Sequence, residues 1–571
     1  MKLISKATIL ACSIALTLSV QSENTPDLPV TAATKVLASA SSEITEQQSY
    51  IIQGTSIAHL TTVLEAAGVS VAREFPIINS VSAVLTSDQV KAITKIGSLS
   101  LKQDGVVKTQ SPMPAHMQWE INNNIAQQVE AHRLHTIGLK GRGVTIAIVD
   151  SGTNVNGDYG RRLAEHEDGS NRLVAKYDAT LGQLSTVKND DQNGHGTHVA
   201  NIIGSRFKHG TGVWHRYNGI APEANILPVK AFDAEGKSNY STVLDALNWI
   251  YQNRDKKRIQ VVNLSLGTAA TSRYWEDPIN QAVTKLWDAG IVVVASAGNN
   301  GEELGITVPG NNPYIITAGA ATDNRTPFDY SDDRIASFSS MGPTYDGFVK
   351  PDVVAPATNI AVKFQQNILA RKLKLHPLGH DYAEISGTSQ AAAIVTGVAA
   401  LVVQNNPHLS PDDVKCKIMT AARAAVTQEG KYSFSPFKQG AGLVDAYEAV
   451  MTHTTGCANK GLDIKADIAD TAHFIGPVEQ TDTGEFAIRL FDGTLVNADE
   501  HWSTQLIDIN GGHWGGNRMR LLEAHATDNA LDLLGAHWEG QTIDINGGHW
   551  GGDKLRIMAQ STQSVENAES N

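Results

Sequence analysis

Cysteine is scarce in this chain, with 3 residues in 571. Cys12 lies in the extreme amino-terminal stretch, so only Cys416 and Cys457 remain for the body of the protein. Two thiols permit at most one bridge, the expectation for an exported chain. Two unpaired thiols, one of them on a helix, is the other reading. Positive charge is short as well: 46 Lys and Arg against 59 Asp and Glu give a net charge of −13. That balance argues against nucleic acid as the main partner, because phosphate backbones select clustered cations. Long apolar runs are missing too. The run from about Ala7 to Val20 follows Lys2 and Lys6 but is too short and too early for a bilayer. No later stretch is apolar for long enough, so no membrane span is expected. With Val20 and Ser22 placed for signal peptidase, residues 1–22 read as a secretory signal. This predicts a secreted protein, the periplasm or the cell surface being the other destinations. A lipoprotein signal through Cys12 fits less well, since Leu10 stands where a small residue is preferred.

Hydrophobic residues make up 41% and charged residues 18%, the balance of a folded protein, and 571 residues are too many for one core. Residues 23–48 lack apolar patterning and read as a flexible lead. Over 49–107, strand-like SYIIQG and SAVLTS alternate with helical HLTTVLEAAG and SDQVKAITKIG, for which Ser87 and Asp88 are cap candidates. This is a small α+β unit. Residues 108–118, KTQSPMPAHMQ, suit a linker.

From 119 to 456 the pattern changes. VTIAIVD, IQVVNLSLG, GIVVVASAGN, YIITAGA and PDVVAP lack polar alternation, as strands buried on both faces do, and helical segments such as STVLDALNWIYQNRD separate several of them. The expected fold class is α/β, a mostly parallel sheet flanked by helices, with ligands at the carboxyl ends of its strands. Residues 460–571 differ again. From His501 the sequence repeats every 12 residues through five units, from HWSTQLIDINGG to HWGGDKLRIMAQ. Apolar seventh and ninth positions with Gly-Gly punctuation predict one short strand per unit, in a small all-β meander or sandwich. Trp502, Trp514, Trp538 and Trp550 fill its core on one reading and bind a surface polymer on another.

Three segments carry chemistry. In VTIAIVDSGT, Asp150 closes a buried strand. In DQNGHGTHVANIIG, His195 stands between glycines at the start of a helix. In EISGTSQAAAIVTGVAALVV, Ser389 stands at the mouth of an apolar helix. Singly, each has a bland role: a turn for Asp150, a cap for Ser389. His195 and His198 would need a third ligand to hold zinc, and no partner has the spacing. Jointly, in the order Asp, His, Ser, and with VVNLSLG, VVVASAGNNG, IASFSSMGP, KPDVVAPA and QGAGLVDAYEAV, the segments resemble the subtilisin-like serine proteases over roughly residues 120–455.

The resemblance implies a subtilisin-like fold and a serine endopeptidase working through an acyl-enzyme. It makes His195 the base for Ser389, Asp150 the group that orients the imidazole, and the Asn299 side chain an oxyanion donor beside the Ser389 N–H. Protein or peptide substrate is expected to add a strand between Gly236, Lys237 and Ser238 on one side and Ser265, Leu266 and Gly267 on the other. Ala295, Ser296, Ala297 and Thr307 would wall the primary pocket. With no acidic residue among them, a broad or apolar preference is expected. The unit at 49–107 resembles the inhibitory propeptide of these proteases, which implies a precursor that cuts itself between Val107 and Asn124 and is inhibited by its own propeptide.

The sequence also departs from the family. Gln390-Ala391-Ala392-Ala393 stands where Met-Ala-Ala-Pro is usual, and a buried Gln390 needs a hydrogen-bond partner. Ala355-Pro356-Ala357 replaces Ala-Pro-Gly, and SRFKHGTGVWHRYNG does not match the calcium loop. The chemistry requires no cofactor, and any structural calcium stays unlocated. Asp190 and Asp191 form a cation candidate, a solvated loop being the simpler reading. The alternative function is an idle scaffold of the family, binding surfaces through its tail. The intact quartet Asp150, His195, Asn299 and Ser389 speaks against it.

Overall fold

The computed structural model describes residues 47–109, 124–209, 216–324, 326, 330, 332–363, 382–425, 433–482, 484–489 and 495–497, with the strands 507–509, 518–522, 542–546 and 554–557. The signal at 1–22, nearly all of the lead, the linker from 110 onward and the third repeat unit lie outside the described residues.

Four antiparallel strands open the described chain: β1 (Gln47–Gln53), β2 (Val71–Phe75), β3 (Ser80–Thr86) and β4 (Ser100–Gln103), in the order β2-β3-β1-β4. α1 (Ile57–Ala66) and α2 (Ser87–Thr94) pack on them over a small core of Ile52, Leu60, Leu64, Val81, Leu85 and Ile93. The Ser56 hydroxyl caps α1. Thr86, not Ser87 or Asp88, caps α2: its hydroxyl accepts from Gln89 N–H while the Gln89 side chain accepts from Thr86 N–H. Ser87 and Asp88 are the first helical residues. β5 (Val106–Thr109) leaves this sheet for another. Lys108 and Thr109, assigned from composition to the linker, are therefore strand residues, because their backbone partners lie in the following body of the protein.

That body is built on a sheet of β6 (Thr145–Asp150), β7 (Tyr177–Asp178), β8 (Gln183–Leu184), β9 (Asn225–Lys230), β11 (Ile259–Leu264), β13 (Val292–Ser296), β14 (Ile316–Thr322), β15 (Arg334–Ile335) and β16 (Val353–Pro356). Its order is β15-β14-β13-β11-β6-β9-β7-β8, with β16 also paired to β14. Pairing is parallel except at β14–β15 and β7–β8. Every residue of β6 and β13 is buried, as expected for unbroken apolar strands covered on both faces. Two short strands, β10 (Lys237–Asn239) and β12 (Leu266–Gly267), flank β5 in a separate sheet. α3 (His195–Gly204), α4 (Tyr240–Lys257), α5 (Pro278–Asp288), α6 (Thr388–Asn405) and α7 (Pro411–Ala421) are the main helices. All residues of α6 from Thr388 to Val403 are buried, so a helix buried all round runs through the core. Cys416, on α7, lies beside Cys457, with their Cα atoms 5.3 Å apart.

In the tail, β17 (Val478–Gln480), β18 (Phe486–Arg489) and β19 (Leu495–Asn497) make one antiparallel sheet. Four repeat units each supply a strand: β20 (Ile507–Ile509), β21 (Arg518–Leu522), β22 (Thr542–Asn546) and β23 (Lys554–Ile557). Their order is β20-β23-β22-β21, so the first unit pairs with the fifth and the sheet is not a simple meander. The register sets the apolar seventh and ninth positions of the units opposite one another: Ile507 pairs with Ile557 and Ile509 with Leu555, while Asp508 and Asp544 both pair with Arg556.

Candidate active site

The carboxyl ends of the central strands and the amino ends of two helices bring the predicted residues together. Asp150 is the last residue of β6, His195 the first of α3, and Ser389 the second of α6. His195 Nδ1 lies 2.8 Å from Asp150 Oδ1 and 3.0 Å from Oδ2. Burial alone would pull the His195 pKa down, but the charge of Asp150 and this hydrogen bond outweigh it, and the pKa is raised above 6.5. The other ring nitrogen, Nε2, is buried without a hydrogen-bond partner. The Ser389 hydroxyl donates to Ser265 O at 3.3 Å, so serine and imidazole are not hydrogen-bonded to each other here. Such bonds commonly tighten only with substrate bound.

Asn299 follows β13 by three residues. Its Oδ1 accepts from Thr388 N–H and Thr388 Oγ1, both at 2.9 Å, which fixes the amide. Its Nδ2 is left buried and unpartnered. A β-carbon on Gly387 would sit 3.1 Å from that nitrogen, so glycine keeps the space open. The Ser389 N–H, in the first turn of α6, has no intrahelical acceptor either. Two donors without acceptors therefore flank one hydroxyl, which is what an incoming oxyanion requires.

Ser265 directly follows β11, and β12 pairs with β5 through Leu266–Thr109 and Gly267–Lys108. On the other side β10 pairs Lys237 with Lys108 and Ser238 with Val107. Gly236, at φ +74°, accepts the Thr109 N–H at 3.0 Å. Of the pocket candidates, Ala295, Ser296 and Ala297 are buried and Thr307 is half-buried: Ser296 Oγ donates to Leu266 O at 3.1 Å, and Thr307 N–H donates to Ala297 O at 2.9 Å.

Several supporting residues escaped the sequence reading. Asp191 is not in a solvated loop. It is buried and accepts from Gly194 N–H at 2.6 Å, Thr197 N–H at 2.8 Å and Ser151 Oγ at 2.8 Å, holding the first turn of α3. Burial raises its pKa, against those hydrogen bonds. An acid four residues before a helix-starting histidine was the available signal. Asp190 is buried too, and its partner is Lys176, at 2.8 Å. Gln390 finds a partner in His198: its Nε2 lies 3.4 Å from His198 Nδ1, while His198 Nε2 meets Ile360 O at 3.1 Å. Gln390 Oε1 stays unpaired. Burial, with His195 nearby, pushes the His198 pKa down to about 3, so the ring is neutral. Among the described residues, no group of three or more His, Cys, Asp or Glu side chains is arranged to hold a metal, and no helix is long and apolar enough to cross a membrane.

Residues 141–442 match the model of the subtilase family, more than half of the chain. The chain belongs to the subtilase family. Among its relatives, the serine protease AprX of Bacillus subtilis (strain 168) is 39% identical over 285 residues, which is 48% of this chain and 60% of AprX. The M-protease of Shouchella clausii (strain KSM-K16) is 30% identical over 63% of this chain and 78% of its own length. In architecture the chain resembles fervidolysin from Fervidobacterium pennivorans, a keratinolytic enzyme related to subtilisin, with a TM-score of 0.55 and 19% identity over 88% of this chain and 71% of that one. That likeness speaks to fold alone. The chain spans about 60% of the length of AprX.

Proposed function

We propose that this subtilase is a serine endopeptidase, secreted as a precursor that cuts itself. Ser389 Oγ attacks the scissile carbonyl while His195 Nε2 takes its proton. The C–N bond then breaks, His195 returns the proton to the leaving amine, and water releases the acyl group by the same route. Asp150 keeps the imidazole in the tautomer with Nδ1–H and stabilises its charged form. Asn299 Nδ2 and the Ser389 N–H receive the oxyanion.

One observation carries the reading. β5 lies as an antiparallel strand between β10 and β12, as a substrate would, and its register runs toward Ser265, whose carbonyl is 3.3 Å from Ser389 Oγ. The bond cut in the precursor then falls within a residue or two beyond Thr109. Further contacts support residues 47–109 as an inhibitory propeptide. Asp104 accepts from Ser241 N–H at 2.9 Å at the start of α4. Lys102 Nζ meets Asp277 Oδ2, at the cap of α5, at 2.7 Å. Val107 is buried in the main core cluster, which supports an apolar preference at the corresponding substrate position. Export suits a Cys416–Cys457 disulfide. For the tail, the cross-strand register supports a packing role for the repeats ahead of polymer binding.

A fluorophosphonate probe and a casein assay test the reading. The mature protein should digest casein and carry the label on Ser389, and the Ser389→Ala variant should do neither. Unlabelled wild-type protein without caseinolysis would return the chain to the idle-scaffold alternative.

A further inference from the structure

The Asp190–Asp191 loop does hold a cation, and the cation is a side chain. Lys176, buried just before β7, donates to Thr153 O at 2.8 Å, Val187 O at 2.9 Å and Lys188 O at 3.2 Å, with Asp190 Oδ1 at 2.8 Å. These distances exceed the roughly 2.3–2.6 Å of calcium–oxygen ligation. Four oxygens at such range suit an ammonium group.

A continuous set of contacts leads from this shell to the first turn of α3, at the residue after His195. Asp190 Oδ1 also accepts from Thr153 N–H at 2.9 Å. Gly152 packs so closely that a β-carbon there would lie 2.9 Å from both Asp190 O and Asp190 Oδ1. The Gly152 carbonyl in turn abuts Gly196, where a β-carbon would come within 2.3 Å of it. Gly196 follows His195, and its N–H donates to Ser151 Oγ at 2.9 Å. Lys230, the last residue of β9, also holds this turn, donating to Ser151 O at 2.8 Å.

We propose that Lys176 is a positioning residue: a tethered cation that locks the Asp150–Thr153 turn against the first turn of α3 and so holds Asp150 in line with His195 Nδ1. Being covalently attached, it fills the shell without a binding equilibrium. Removing the side chain leaves an oxygen shell that a free ammonium ion can enter. The catalytic part of this proposal rests on the endopeptidase reading; the stability part does not.

Lys176→Gly and Lys176→Met separate the effects, measured in ammonium chloride, methylammonium chloride and tetramethylammonium chloride at equal ionic strength. Lys176→Gly should lose about tenfold or more in kcat with KM little changed, and melt several degrees lower. Ammonium or methylammonium should restore both; tetramethylammonium, too large for the shell, should restore neither. Lys176→Met, whose side chain still occupies the approach, should be impaired and not rescued. If Lys176→Gly does not fold, its refolding yield with ammonium against tetramethylammonium is the readout, and equal yields overturn the proposal. So do a Lys176→Met variant with wild-type kcat and melting temperature, or equal rescue by all three salts. Should the wild type itself be inactive and unlabelled, the endopeptidase reading fails, and the melting temperatures still decide the role of Lys176.

Discussion

Thr109 donates its backbone N–H to Gly236 O at 3.0 Å, and its hydroxyl lies 2.6 Å from where a β-carbon on Gly236 would stand. This close approach, at a residue with φ +74°, is where the proposed propeptide strand meets the cleft wall. Gly236→Val should therefore weaken both inhibition by residues 47–109 and binding of extended peptides. About tenfold in Ki and in KM is expected, equivalent to ~1.4 kcal/mol, with kcat nearly unchanged. Titration with the isolated unit and peptide kinetics measure it. Unchanged KM would mean that substrate does not lie along β10.

Asn299→Ala removes a fixed, unpartnered donor and should lower kcat by roughly 100- to 1000-fold while KM changes little. Steady-state kinetics on a peptide anilide read this directly. A variant with raised KM and normal kcat would make Asn299 a binding residue instead.

The acid limb of kcat/KM should report His195. Its folded pKa is raised, and catalysis needs the neutral ring, so activity should rise with pH through a midpoint above 6.5. Stability runs the other way. The contribution of the charged ring is fully present below the unfolded value of 6.5 and is lost as pH climbs through the folded one. Asp150→Asn should move the midpoint down, besides lowering kcat severely. A wild-type midpoint below 6.5 would contradict the assignment.

Cys416 and Cys457 are 41 residues apart, and closing a loop of that length in the unfolded chain is worth roughly 4 kcal/mol. The double Ala variant should melt at a clearly lower temperature than oxidised wild type, and close to the reduced protein. Identical melting curves for all three would show that no bridge forms.

Much of the site was legible because its residues sit in local contexts that announce themselves. A run such as TIAIVD ending in Asp150 has one comfortable home, a buried strand, and a strand's carboxyl end is where chemistry gathers. Ser389 at the start of a largely apolar helix was equally readable. What stayed hidden depends on contacts across the fold. Lys108 and Thr109 form a strand only because β10 and β12 accept them, which no local pattern encodes. Asp190 and Asp191 read as a polar loop until Lys176, Ser151 and Thr197 close around them. In the tail the 12-residue period is visible in four described strands, but their order is not, since the first unit pairs with the fifth and the second with the fourth.

The most direct measurement is the intact mass and amino-terminal sequence of protein secreted by cells expressing wild type or Ser389→Ala. The account predicts a wild-type chain that begins within a few residues beyond Thr109, and a Ser389→Ala chain that keeps residues 47–109 attached. Identical amino termini in the two proteins would contradict it.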